Sequence, residues 1–218
     1  MQQVEIYAHI KGAIATWVVT KTDGQQIRKK GRIDQFIGIL QSSSDSCKFR
    51  RIGKYPEGLI DFAIGEQPGT FKAVFLVPES VRILSFFGDE LLVPFPETVF
   101  FMTSVNGRIV DSKVHAKHGE NLCHYPFGNV YDDGKICWGQ NKLPNILHLE
   151  DMKKVPALFF GGDTNNDLYR PGKNVIKKKE FTMQRGLVNA LLPLEVFPKD
   201  WLVSCHKTMS SMVDDYLN

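Results

Sequence analysis

The stretch Thr98-Val99-Phe100-Phe101-Met102-Thr103-Ser104-Val105-Asn106-Gly107-Arg108 decides the fold class. Its first eight residues are rich in β-branched and aromatic side chains, which suit a pleated, half-buried surface. Asn106-Gly107 then supplies two residues that tolerate positive φ, the requirement of a type I′ turn. A hairpin follows, with Thr98 to Val105 as one arm and Arg108 to Ala116 as the other. Upstream, Gly58 to Ile64, Phe71 to Val77 and Val81 to Phe87 are further short runs of Phe, Val and Ile. Gly65, Gly69, Pro78, Gly88-Asp89, Pro94 and Pro96 punctuate them. The expectation is an antiparallel meander.

Toward the N-terminus, Val4 to Ile10 alternates, Lys11-Gly12 turns, and Ile14 to Thr20 resumes, which predicts a hairpin. In Arg28 to Leu40, Ile33, Phe36, Ile37 and Leu40 recur at helical spacing and predict a short amphipathic helix. The Ser42 to Ser46 tract predicts a loop. Beyond the meander, Gly119 to Leu143 has no regular period yet contains Tyr125, Phe127, Tyr131 and Trp138. Irregular segments of that length inside a compact domain are usually functional. Leu147 to Phe160 suggests a helix broken or ended near Pro156, followed by a polar loop at Gly161 to Asn166. Leu187 to Leu194 and Trp201 to Leu217 suggest helical pieces. Strands first and helices last make an α+β class, taken here as one domain over 1–218. Within it, 1–45 is an N-terminal elaboration, 58–165 the core and 166–218 a helical extension.

Composition narrows the function. A formal charge of +3 over 218 residues is too small to indicate nucleic acid, and Lys177-Lys178-Lys179 fits a solvated face. No apolar run approaches a membrane span or a secretory signal core. Cys47, Cys123, Cys137 and Cys205 form no CxxC pair, which fits reduced thiols in a cytoplasmic protein.

The irregular stretch contains His124-Tyr125-Pro126-Phe127-Gly128-Asn129-Val130-Tyr131-Asp132-Asp133-Gly134-Lys135-Ile136-Cys137-Trp138-Gly139. An exposed thiol in a loop beside a sheet suits acyl transfer, because sulfur as thiolate both attacks and leaves well. The segment resembles the active-site segment of ubiquitin-conjugating enzymes, in which an Asn precedes the thioester-forming Cys at the spacing of Asn129 and Cys137. It is similar above all to the prokaryotic conjugating-enzyme family D, the branch that includes PRTRC system protein B. There Pro126, Phe127, Asn129, Val130, Tyr131, Gly134, Cys137 and Gly139 match the pattern. The resemblance implies a ubiquitin-conjugating-type (UBC-like) fold and a cysteine thioester acyltransferase without cofactor or metal. Cys137 would carry the acyl group, and Asn129 would donate to the oxyanion or brace the loop. Pro126, Tyr131, Asp132, Asp133 and Gly134 would form the supporting loop, with Gly134 making its sharp turn. It also implies partners: a ubiquitin-like modifier, a ThiF-family adenylating enzyme and often a JAB-type peptidase, in plasmid-borne or antiphage operons.

Two features depart from the family pattern. Eukaryotic members place His and Pro directly before the Asn, whereas Pro126 lies three residues upstream of Asn129 and His124 further back. No residue aligns with the acidic group that members often present after the cysteine; Glu150, Asp151 and Asp163 are candidates. Three rival functions stand beside acyl transfer: a zinc site using Cys123, His124 and Cys137 with one of His115, His118 or His148, a hydrolase pairing Cys137 with His148, and a non-catalytic scaffold of the same fold.

Overall fold

The computed structural model describes residues 5–11, 13–20, 25–34, 36–37 and 55–217. The chain divides into two compact units, Met1–Arg51 and Ile52–Asn218. In the first, β1 (Glu5–Lys11) and β2 (Ile14–Thr20) form the expected hairpin, with Lys11 opposite Ile14. A third strand, β3 (Gln26–Arg32), lies antiparallel on β2. The helix expected over 28–40 is therefore corrected. Residues 28–32 satisfy their backbone groups in the sheet, helical geometry is found at 33–34 and 36–37, and the rest of the expected helix lies outside the described residues. That turn brings Phe36 against Trp17, with ring centroids 4.8 Å apart, in a small core with Ala15. The Ser42 to Ser46 loop lies outside the described residues.

The second unit is built on a six-stranded antiparallel sheet. Its strands are β4 (Leu59–Ile64), β5 (Phe71–Val77), β8 (Thr98–Val105), β9 (Arg108–His118), β10 (Asn121–Cys123) and the edge strand β12 (Ser204–Thr208), adjacent in that order. Asn106 and Gly107 adopt φ of 50° and 81°, and Val105 faces Arg108, as a type I′ hairpin requires. The antiparallel character is as expected, but one continuous meander is not. β5 pairs directly with β8, and the intervening β6 (Ser80–Phe86) and β7 (Asp89–Phe95) form a hairpin of their own. That hairpin leaves the sheet because its apolar face is taken up elsewhere: Phe95 packs on Phe127 and Phe160 at 4.9 and 5.5 Å. A two-residue strand, β11 (Asp163–Thr164), adds parallel to β6 inside the expected polar loop.

The central strands are buried on both faces. Phe100 and Met102 point into the larger core with Phe127, Leu149 and Val155, while Val99 and Phe101 meet Met209 and Met212. The larger core is closed by α1 (Lys154–Phe160) and α2 (Gln184–Leu191). The smaller is closed by α3 (Met209–Leu217), pinned where the Tyr216 and Thr103 hydroxyls meet at 2.7 Å. Pro156 does not end a helix. It sits in the first turn of α1, where a missing N–H costs nothing, and a 3₁₀ turn at Leu149–Lys153 precedes it. The helix expected over Trp201 to Leu217 begins only at Met209. Ser204–Thr208 instead pairs with β10, satisfying the outer edge of the sheet. The architecture is α+β, mostly antiparallel sheet with few helices. Among the described residues no helix is long and apolar enough to cross a membrane.

Candidate active site

The segment preceding Cys137 is anchored from behind. Tyr125 and Phe127 are buried in the aromatic cluster, Tyr125 against Phe159 at 5.2 Å, and Pro126 is buried beside them. Gly128 donates its N–H to the buried Gln184 Oε1 at 2.5 Å. From this anchor the chain turns at Asn129, whose φ of 63° is left-handed, a conformation that asparagine tolerates better than most residues.

Residues 129–137 then fold as a tight hairpin. Cys137 N–H donates to Asn129 O at 2.8 Å, Val130 bridges Ile136, and Tyr131 N–H donates to Lys135 O at 2.8 Å. Asp133 Oδ1 accepts the Lys135 N–H at 3.0 Å, and Asp132 forms an ion pair with Lys173. The hairpin is stitched to β9: Val114 N–H donates to Gly134 O at 2.8 Å and Ile136 N–H to Ser112 O at 3.0 Å. The Trp138 indole donates to Ser112 Oγ at 2.8 Å. Cys137 therefore sits immediately beyond a rigid, sheet-backed turn.

Its thiol is half-buried and borders an open cleft of about 240 Å³, shared with Asn129, Asn141, Asn165, Asp167 and Leu168. Tyr131 Oη donates to Cys137 Sγ at 3.7 Å across the hairpin. The Asn129 carboxamide donates through Nδ2 to the backbone oxygen of Asp163 at 2.6 Å, which ties the turn to β11.

The hairpin thus gathers Cys137, Asn129, Tyr131, Asp132, Asp133 and Gly134, while Pro126 lies behind it in the core. Of the three candidate acids, Asp151 caps the 3₁₀ turn, accepting from Leu147 and His148, and ion-pairs with Lys154. The carboxylate of Asp163 is held by Ser85 Oγ at 2.7 Å and the Gly88 N–H at 3.1 Å. Glu150 does not border the cleft. Asp163 is exposed and borders the cleft, as does a further exposed acid, Asp167, which is steadied by Asn165 Nδ2 at 3.1 Å and which sequence reasoning missed. Its only local signal is the Asx-rich run Asn165-Asn166-Asp167. Among the described residues no three His, Cys, Asp or Glu side chains are placed to hold a metal ion, so Cys123, His124 and Cys137 make no such cluster. The hydrogen-bond partner of Cys137 Sγ is a phenol and not an imidazole; His148 caps the 3₁₀ turn instead.

Beneath the hairpin lies a residue that sequence reasoning offered only as a possible metal ligand. His115, on β9, is buried, and among the described residues its Nε2 has no hydrogen-bond partner. Burial above all, helped by the charges of His124, Lys207 and Lys113, lowers its pKa to about 4. The folded protein therefore holds this imidazole neutral, whereas the unfolded chain takes up a proton near 6.5. Stability from this group is full above about pH 6.5 and is lost as pH falls toward 4, by roughly 3 kcal/mol in all. Urea unfolding at pH 7 and pH 4.5 measures it: His115→Gln is expected to flatten the difference relative to wild type, and equal slopes would refute the assignment.

The mixed α+β fold thus carries a half-buried cysteine at the foot of a sheet-backed Asn129–Cys137 hairpin. The model of prokaryotic E2 family D matches residues 66–205, and the chain belongs to that family. Membership implies, in general terms, a conjugating-enzyme-like role with ubiquitin-like proteins as partners. No curated protein and no solved structure matches the chain significantly.

Proposed function

We propose that the chain is a ubiquitin-conjugating-type carrier, which accepts the C-terminal carbonyl of a ubiquitin-like protein on Cys137 as a thioester and delivers it to an amine. The supporting observation is the Cys137 thiol opening on a polar cleft in a member of prokaryotic E2 family D. The amide side chains of Asn141 and Asn165 suit the peptide backbone of an extended terminal tail. Asn129 braces the turn through its bond to Asp163, which keeps the carbonyl that receives Cys137 N–H in place. Asp167 is positioned to attract an incoming ammonium and accept its proton as the C–N bond forms. The supplier of the acyl group is a ThiF-family adenylating enzyme. A JAB-type peptidase would accompany the system, in an operon of PRTRC or antiphage type and in the cytoplasm.

Reconstitution with such an activating enzyme, its modifier and ATP provides the test. A non-reducing gel is expected to show a thiol-labile adduct, with the modified peptide mapping to Cys137. A thiol-resistant adduct, or one mapping to Cys123, would overturn the proposal.

A further inference from the structure

Tyr131 is nearly half exposed, at 46%, so core packing does not dictate where its phenol lies. It nevertheless turns back across the hairpin to put Oη 3.7 Å from Cys137 Sγ. Each of the two residues borders a cleft. The one bordered by Cys137 and a second, of about 300 Å³, bordered by Tyr131, Val130, Asp132 and Asp133, share Leu168 as their common wall. Among the described residues no other side chain donates a hydrogen bond to this sulfur, and the Asn129 carboxamide on the same cleft donates to Asp163 O.

We propose that the Tyr131 hydroxyl is a catalytic donor to Cys137 Sγ, stabilising the sulfur whenever it bears negative charge, both as nucleophile and as leaving group. This rests on the carrier function above. During loading, Cys137 thiolate attacks the carbonyl carbon of the modifier's thioester on the activating enzyme. The new C–Sγ bond forms, the carbonyl pair moves to oxygen, and collapse expels the activating cysteine as thiolate. During discharge, the acceptor nitrogen forms the C–N bond, its proton passes to a base, and the C–Sγ bond breaks with the electron pair remaining on Sγ. Tyr131 donates a hydrogen bond in both steps and transfers no proton. The contact with Cys137 raises the ionisation of the phenol above its ordinary value, so it stays a donor at neutral pH. A donor aimed at sulfur favours departure, because thiols that hold negative charge better leave faster.

The test separates this donor from the carrier function. Alkylation of the free protein by iodoacetamide, followed at the Cys137 peptide by mass spectrometry, needs no partner. A hydrogen bond to the charged sulfur stabilises it, so its loss in Tyr131→Phe leaves less of the reactive anion at neutral pH and a more nucleophilic anion where the thiol is fully ionised. The variant should then react about threefold slower at pH 7 and about threefold faster near pH 10, so the two pH profiles cross. Loaded Tyr131→Phe should release the modifier to hydroxylamine about threefold more slowly than wild type. Parallel alkylation profiles, or crossed profiles with unchanged release, overturn the proposal. Crossed profiles in a chain that never loads overturn the carrier function instead.

Discussion

Cys137→Ala is expected to abolish the thiol-labile adduct outright while leaving the fold intact. The side chain is half-buried at the rim of a cleft, so losing one sulfur removes little apolar contact and should cost below ~1 kcal/mol of stability. The neighbouring thiols are poor substitutes. Cys123 is buried in the larger core, where desolvation pushes its pKa up to about 11, leaving on the order of one thiol in 10⁴ ionised at neutral pH. Cys205 donates to Leu122 O at 3.0 Å, and burial again raises its pKa. Thiolate is the attacking species, so neither competes with a thiol open to a cleft. Cys137→Ser offers a complementary result: any slow adduct it forms should be an oxygen ester that survives thiol treatment. An undiminished thiol-labile adduct on Cys137→Ala, resolved by gel and peptide mapping, would remove Cys137 from the chemistry.

The parts of this molecule that were legible in its sequence are those governed by short-range physics. The Asn106-Gly107 turn states its own geometry, and the strands on either side carry enough Phe, Val and Ile to declare themselves. The Asn129 to Cys137 spacing is legible only as a family resemblance; that Cys137 N–H closes a hairpin on Asn129 O, and that β9 holds this hairpin from beneath, is not. What escaped was decided at a distance. Nothing local in Val81 to Phe95 says that this hairpin will leave the sheet; that follows from Phe95 finding Phe127 and Phe160. Ser204–Thr208 lacks the β-branched and aromatic content of an interior strand, and is a strand because β10 leaves an edge to be filled. Asp167 and His115 lie far along the chain from the motif and reach it only through β11 and β9. Pro156 misled because its effect depends on its position within a helix, which its identity alone does not reveal.

Gly134→Ala should impair loading severely, although it removes no side chain of the cleft. Gly134 has a φ of +87°, a left-handed conformation that costs an L-residue about 1–2 kcal/mol. A Cβ at that position would also lie 2.5 Å from His115 Nε2, inside contact distance of a ring that is itself buried on β9. The imidazole has little room to yield, because the sheet holds it, so the hairpin must lift instead. Lifting weakens the bond from Val114 N–H to Gly134 O and, next to it, that from Ile136 N–H to Ser112 O. Those two bonds set the height of Cys137 above the sheet, and a displacement of about 1 Å in a reacting group can cost on the order of a hundredfold in rate. Loading by the activating enzyme is accordingly expected to fall about a hundredfold, with a drop of about 2–4 kcal/mol in unfolding free energy. The combined His115→Ala, Gly134→Ala variant separates the two causes: it relieves the overlap but not the backbone strain, and should recover part of the loading rate lost by Gly134→Ala. If Gly134→Ala loads at the wild-type rate, the close approach of hairpin to His115 does not position the sulfur. If the second substitution recovers nothing, the left-handed backbone alone accounts for the loss.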